Sequence, residues 1–172
     1  MNYLMEGAET DRLKFRKLTE ADMAVWQAFY EDPTSTAYWN EPNSNPKIAC
    51  CKWFEATFQR YDNRLGGMNA LIHKQSGMVI GQCGLLLQTM DDRKELEIGY
   101  AMLPEFRNQG YASEAAECCK NYAFTQHWAT SLISIIHIAN LPSQNVAKKL
   151  GMFLDKTTTY KDNPVHIFRV LA

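Results

Sequence analysis

Residues 12–18 alternate between apolar and polar, with Leu13 and Phe15 opposed by Lys14 and Arg16. A period of two predicts a strand with one buried face. Thr19-Glu-Ala-Asp22 follows, close to a capping box, and the pattern turns helical to about Glu31, where Asp32-Pro33 ends it. Residues 34–46 are polar and aromatic without a period, which predicts a loop holding Tyr38 and Trp39. A second helix is predicted from Pro46 to about Tyr61, with Trp53, Phe54, Thr57, Phe58 and Tyr61 at helical spacing. That aromatic stripe reads first as core packing. Leu65-Gly-Gly67 breaks the pattern, and strands are predicted over 68–73 and 79–87 with Gln75-Ser-Gly77 as the turn between them. After a turn at Asp91-Asp-Arg-Lys94 comes a strand over 95–103, ended by Pro104. A helix from Gly110 to about His127 and a β-branched strand over 132–138 are next. Asn140 caps a short helix that stops at Leu150-Gly151. Strands over 152–160 and 165–171, joined around Asp162-Asn163-Pro164, end the pattern.

Strands lead directly into strands in the middle of the chain, and helices cross over later. This order predicts an α+β (mixed α/β) architecture, a central mixed, mostly antiparallel sheet of about seven strands with about four helices on its faces. The 172 residues carry no repeat, low-complexity run or linker, so one domain over 1–172 is expected. Net charge is −1, which points away from nucleic-acid and membrane partners. No apolar run approaches the ~20 residues that span a bilayer. The first residues lack a basic region followed by an apolar one, so a cytoplasmic location is expected. Five cysteines occur, four of them as the adjacent pairs Cys50-Cys51 and Cys118-Cys119. None shows metal-ligand spacing, so reduced, mostly buried thiols and no metal are expected.

The chemistry concentrates where a strand passes into a helix, at Glu97-Ile-Gly-Tyr-Ala-Met-Leu-Pro-Glu-Phe-Arg-Asn-Gln-Gly-Tyr-Ala-Ser-Glu-Ala115. Arg107-x-x-Gly110-x-Ala112 is a small-residue turn opening a helix. Such a turn aims several free N–H groups and the positive helix end at one point, an anion site suited to phosphate. Neither Gly-x4-Gly-Lys-[Ser/Thr] nor a Gly-x-Gly-x-x-Gly after a strand is present, which sets aside a P-loop NTPase and a dinucleotide fold.

Further on comes Asn140-Leu-Pro-Ser143-Gln-Asn-Val146-Ala-Lys-Lys149-Leu-Gly-Met152, and near the start stands Glu9-Thr-Asp-Arg-Leu-Lys-Phe-Arg16. With the Glu97-Ile-Gly-Tyr100 segment and the turn, these resemble the GNAT superfamily of acetyl-coenzyme A-dependent N-acetyltransferases, in particular its ribosomal-protein N-acetyltransferase branch. The resemblance runs from about residue 9 to the end of the chain. It implies a GNAT fold with a V-shaped splay between the fourth and fifth strands. It implies acetyl-CoA as cofactor, its pyrophosphate on the turn formed by Arg107, Asn108, Gln109, Gly110, Ala112 and Ser113, and its pantetheine along Ala101, Met102 and Leu103. Asn140 is implied to cap its helix and reach the cofactor.

The resemblance also implies direct attack of an amine on the thioester. Glu97 stands at the family's base position, and the Met102 N–H can polarise the thioester carbonyl. Much of the superfamily protonates the departing thiolate with a tyrosine at the position occupied here by Ala147, which cannot do so; Ser143 is the implied substitute, with Tyr160 and His166 as alternatives. Tyr38, Trp39 and Glu41 on the first inter-helix loop are the implied acceptor contacts, an aromatic wall and a carboxylate that suit a cationic amine. A protein or peptide N-terminus is the preferred acceptor, because its pKa near 8 frees a neutral amine more readily than the ~10.4 of lysine. A small amine (polyamine, amino acid or aminoglycoside) and a non-catalytic CoA-binding module stand as the alternatives, for a monomer or a homodimer.

Overall fold

A computed structural model of the chain describes residues 1–39 and 45–172. Strand β1 (Leu13–Lys17) is followed by helices α1 (Met23–Glu31) and α2 (Pro46–Asp62). Strands β2 (Gly66–His73), β3 (Val79–Met90) and β4 (Arg93–Met102) then run in succession. Helix α3 (Tyr111–Thr125), strand β5 (Ser131–His137) and helix α4 (Leu141–Lys149) follow, before strands β6 (Phe153–Tyr160) and β7 (Asn163–Leu171). The seven strands form one sheet in the order β1-β2-β3-β4-β5-β7-β6, with every neighbouring pair antiparallel except β4–β5. This is the α+β class expected from the pattern. Among the described residues no helix is long and apolar enough to cross a membrane.

Two turns differ from the expectation for one reason. Asp91 and Asp92 both have positive φ (47° and 61°), as do Lys161 and Asp162 (48° and 61°). Two consecutive left-handed residues make the tight hairpin turn whose twist matches the strands it joins. Met90 therefore pairs directly with Arg93, and Tyr160 with Asn163. The strands run closer to the turns than a four-residue loop or a turn centred on Pro164 would allow.

The helices sort onto the two faces by the size of what they bury. Tyr111, Ala115, Ala116, Cys119 and Ala123 of α3, Ala147 of α4 and Leu150 at its C-cap pack with Leu13, Phe15, Leu71 and Ile98 on one face. On the other, Trp26 of α1 and Phe54 of α2 close over Leu18, Met68, Leu86 and Leu103. The α2 aromatic stripe is thus core. Full burial of a ring such as Phe54 contributes about 1.5–3 kcal/mol. A third cluster, Met90, Ile133, Ile135, Val165 and Ile167, fills the half of the sheet beyond β4. All five thiols are free, with Cys50, Cys83 and Cys119 buried.

What positions the site is the partial pairing of β4 with β5. Among the described residues they share one ladder position, Glu97–Ile133, and diverge after it. Beneath that point Arg169 of β7 holds the strands together. Its Nη1 and Nη2 donate to the two Glu95 carboxylate oxygens at 3.0 and 2.9 Å, and its Nε donates to Asp155 at 2.9 Å. The result is a V, pinned at its apex and open toward the C-terminal ends of both strands.

Candidate active site

The Leu103 N–H donates to the Ile80 carbonyl at 3.0 Å, which fixes the alternation along β4. Backbone groups of residues 103, 101, 99 and 97 face β3, and those of 102, 100 and 98 face β5. Past the apex β5 has moved away, so the amides of Tyr100 and Met102 open into the V. Of the three residues expected along the pantetheine, Met102 faces the slot, while Ala101 and, just past β4, Leu103 turn their backbone groups to β3. The Tyr100 side chain bridges the slot, its hydroxyl donating to the Ser143 carbonyl at 2.7 Å. Lower down, Ser134 Oγ donates to the Ile98 carbonyl at 2.9 Å.

Glu97 sits at the apex. Gln88 Nε2 donates to its carboxylate at 2.6 Å, and the Ile135 N–H is directed at it from β5. Burial pushes its carboxyl above the usual range, and the Gln88 amide, the Ile135 N–H and the Arg60 and Lys161 charges only partly oppose this. Tyr160, at the β6–β7 turn, lies in the electrostatic reach of both Glu97 and Arg60; burial and the Glu97 charge raise its phenol. Arg60 donates to the Leu65 and Leu87 carbonyls at 2.8 Å each, leaving its buried Nε without a partner among the described residues. His166 is bonded instead to Thr157, at 2.8 Å.

The turn after β4 uses two left-handed residues, Asn108 (φ 59°) and Gly110 (φ 82°), the second forming the N-cap of α3. Glu114 makes the first helical bond, to the Gly110 carbonyl, so the amides of Tyr111, Ala112 and Ser113 precede any helical acceptor. The Gln109 side chain is held by the Glu105 carbonyl at 2.9 Å. The N-terminal motif braces this turn. Arg12 Nε donates to Glu114 at 2.6 Å, its Nη1 donates to the Gln109 carbonyl at 3.0 Å, and its guanidinium lies 4.2 Å from the Tyr111 ring centre. Thr10 Oγ1 and the Arg12 N–H donate to the other Glu114 oxygen. The role of Arg12 was hidden in the sequence, where the motif stands about a hundred residues from the turn it holds.

Asn140 caps α4 as expected, its side chain accepting from the Ser143 N–H at 3.1 Å. It is thus the Ser143 amide that meets the cap, and the Ser143 hydroxyl has no protein partner among the described residues. Ala147 is fully buried.

Arg107 is placed differently from the other turn residues. Its Nε donates to the Met102 carbonyl at 3.2 Å, and its Nη1 donates to Asp32 and to Thr34 Oγ1, both at 2.9 Å. Its Nη2 donates to Ser35 Oγ. The guanidinium is thus committed to the loop after α1 and not to the amides of the turn. That same loop reaches the far lip of the V, where the Tyr38 ring lies 5.6 Å from that of His137, the last residue of β5. Trp39 beside it is exposed. Glu41 lies outside the described residues.

The amides of Tyr100 and Met102 in the slot, continued by those of the first turn of α3, fit one extended ligand that bonds like a strand and ends in an anion. A family model described as an acetyltransferase (GNAT) domain matches residues 12–153. The chain belongs to the GNAT acetyltransferase family. It is similar to the uncharacterized N-acetyltransferase YnaD of Bacillus subtilis (strain 168), with 30% identity over 147 residues, 83% of this chain and 80% of that one. Among solved structures, an acetyltransferase from Agrobacterium tumefaciens str. C58 superposes with a TM-score of 0.80 at 24% identity, covering 96% of this chain and 94% of that one. RimL, a ribosomal L7/L12 α-N-protein acetyltransferase in complex with coenzyme A, does so with a TM-score of 0.74 at 12% identity, over 96% and 97%. At these identities the two structures show the shared fold. This GNAT chain is an acetyl-CoA-dependent N-acetyltransferase.

Proposed function

We propose that this enzyme transfers acetyl from acetyl-CoA to the α-amino group of a protein or peptide N-terminus, by direct attack. Acetyl-CoA supplies the acyl group as a thioester. Glu97 takes the proton that the acceptor ammonium must lose, directly or through one water. The observation that carries this reading is the position and state of Glu97. It stands at the apex of the slot, where β4 leaves β5, with burial holding its carboxyl above the usual range. A base so shifted lies nearer the pKa of an α-amine, which favours proton transfer near neutral pH. The Met102 N–H, on the side of β4 that faces the slot, is aimed to stabilise developing negative charge on the acyl oxygen. The Ser143 hydroxyl, with no partner among the described residues, is free to bond a departing thiolate.

The acceptor class is supported by the fold shared with RimL, a ribosomal L7/L12 α-N-protein acetyltransferase, and by the open aromatic loop bearing Tyr38 and Trp39. Incubating the enzyme with acetyl-CoA and two panels, short peptides with free N-termini and small amines, tests it by thiol release and product mass. Acetylation of peptides at the α-amine supports the assignment. Turnover confined to polyamines, amino acids or aminoglycosides moves the acceptor to the small-molecule class.

A further inference from the structure

The arginine beside the cofactor turn does not face it. Arg107 directs its three guanidinium nitrogens to Met102, Asp32, Thr34 and Ser35, and its guanidinium carbon stands 5.9 Å from the Phe29 ring centre. Asp32 is prepared for this contact by its own loop. Its carboxylate accepts from the Thr34 hydroxyl at 2.6 Å, the Thr34 N–H at 3.2 Å and the Ser35 hydroxyl at 3.1 Å. These bonds build an Asx-type turn at Asp32-Pro33-Thr34 and leave a fixed anion for the guanidinium. The other end of the segment rests on His137 through Tyr38. Residues 32–38 therefore cross from the lip formed by β4 to the lip formed by β5.

We infer that Arg107 is a positioning residue that latches the 32–38 segment across the mouth of the V, setting the acceptor side of the site, and is not a ligand of the cofactor phosphates. A phosphate ligand keeps donors free toward the anion, whereas here the planar fork is matched to four oxygens on protein groups. Through the Met102 carbonyl the latch is also tied to the strand that lines the slot. The inference rests on the acceptor meeting the loop that bears Tyr38 and Trp39, as in the proposed function. Its central measurements need no acceptor, so either can fail alone.

The test compares Arg107→Met and Asp32→Ala in the full chain. Coenzyme A affinity is read by calorimetry, and backbone exchange over 33–39 by hydrogen–deuterium mass spectrometry. The latch predicts that both variants speed exchange over 33–39 by about tenfold or more, and that the double variant is no faster than either. It predicts a coenzyme A Kd within about twofold of the parent for both. With a peptide acceptor in hand, acceptor KM rises in both variants while the KM for acetyl-CoA holds, a split that general loosening would not give. A Kd raised about tenfold in Arg107→Met but not in Asp32→Ala, with 33–39 still protected, overturns the latch and returns Arg107 to the phosphates. Unchanged exchange in both variants overturns it as well. Should Arg107→Met fail to fold, Asp32→Ala and the pair Thr34→Ala/Ser35→Ala release the same segment from its other side.

Discussion

The Tyr100 hydroxyl donates to the Ser143 carbonyl at 2.7 Å, joining β4 to the first turn of α4 across the open part of the V. The residue is partly buried, and that burial raises the pKa of its phenol, so it serves as a neutral donor across the whole working range of pH. Tyr100→Phe keeps the ring and removes only the bond, at a net cost of about 1 kcal/mol. For a chain of this size that is a fall in Tm of about 2–4 °C. Amides 141–145 should exchange faster in the same variant. An unchanged Tm and unchanged exchange would show that the strap contributes nothing.

Glu97 links activity and stability with opposite signs. Glu97→Gln should retain coenzyme A binding and lower kcat/KM by about 10²–10⁴-fold, the usual worth of a general base. In the parent, kcat/KM should rise with pH through the raised Glu97 pKa, and that limb should vanish in the variant. For folding, the native state holds the Glu97 proton to higher pH than the unfolded chain does. Stability is therefore lost as pH rises from the unfolded value, about 4.3, through the raised folded one. Glu97→Gln removes this cost. Its Tm should exceed that of the parent at pH 8, and the difference should shrink toward pH 4, as followed by calorimetry.

The elements and the turn were legible because their signals are local. Alternation marks β1, helical spacing marks α2, and Gly110 with Asn140 marks two helix starts. The contacts of Arg107 were not legible, because they are not local: beside a small-residue turn a cation reads as a phosphate ligand, and only the fold brings Asp32, 75 positions away in sequence, to its guanidinium. Tyr100 stands in a recognisable segment, but its task depends on which backbone groups face β5, a matter of register. Gln88 bonds Glu97 from a neighbouring strand, and the Arg60 charge acts on it from α2, relations that no spacing along the chain encodes.

The N-terminal motif should act as a clamp on α3. Glu114 receives Thr10 Oγ1, the Arg12 N–H and Arg12 Nε on its two oxygens. Burial opposes its ionisation, but these donors outweigh it and hold its carboxyl below the usual range. The stabilisation is present above the unfolded carboxylate pKa and is lost as pH falls through the depressed folded value. Glu114→Ala should cost about 2 kcal/mol at pH 7, from charge-assisted bonds, and should flatten the acid limb of the stability profile. Denaturant unfolding at pH 7 and pH 3 checks both; equal losses at the two pH values would rule out an ionic clamp.

Gly110 and Gly151 adopt nearly the same left-handed conformation, φ 82° and 80°, yet only the first opens α3, at the turn expected to take the cofactor phosphates. A Cβ on Gly151 meets nothing within 4 Å, and one on Gly110 meets only Arg12 Nη2, at 3.4 Å. Alanine at either position thus suffers mainly the backbone penalty, about 1 kcal/mol. Thermal melts should show similar losses in Gly110→Ala and Gly151→Ala. Coenzyme A affinity should separate them. Gly110 sets the direction of the first α3 amides, and straightening that residue turns them away from a shared point. Gly110→Ala should weaken coenzyme A by about tenfold or more, while Gly151→Ala should leave it within about twofold. Equal affinities in the two variants would place the phosphates away from the start of α3.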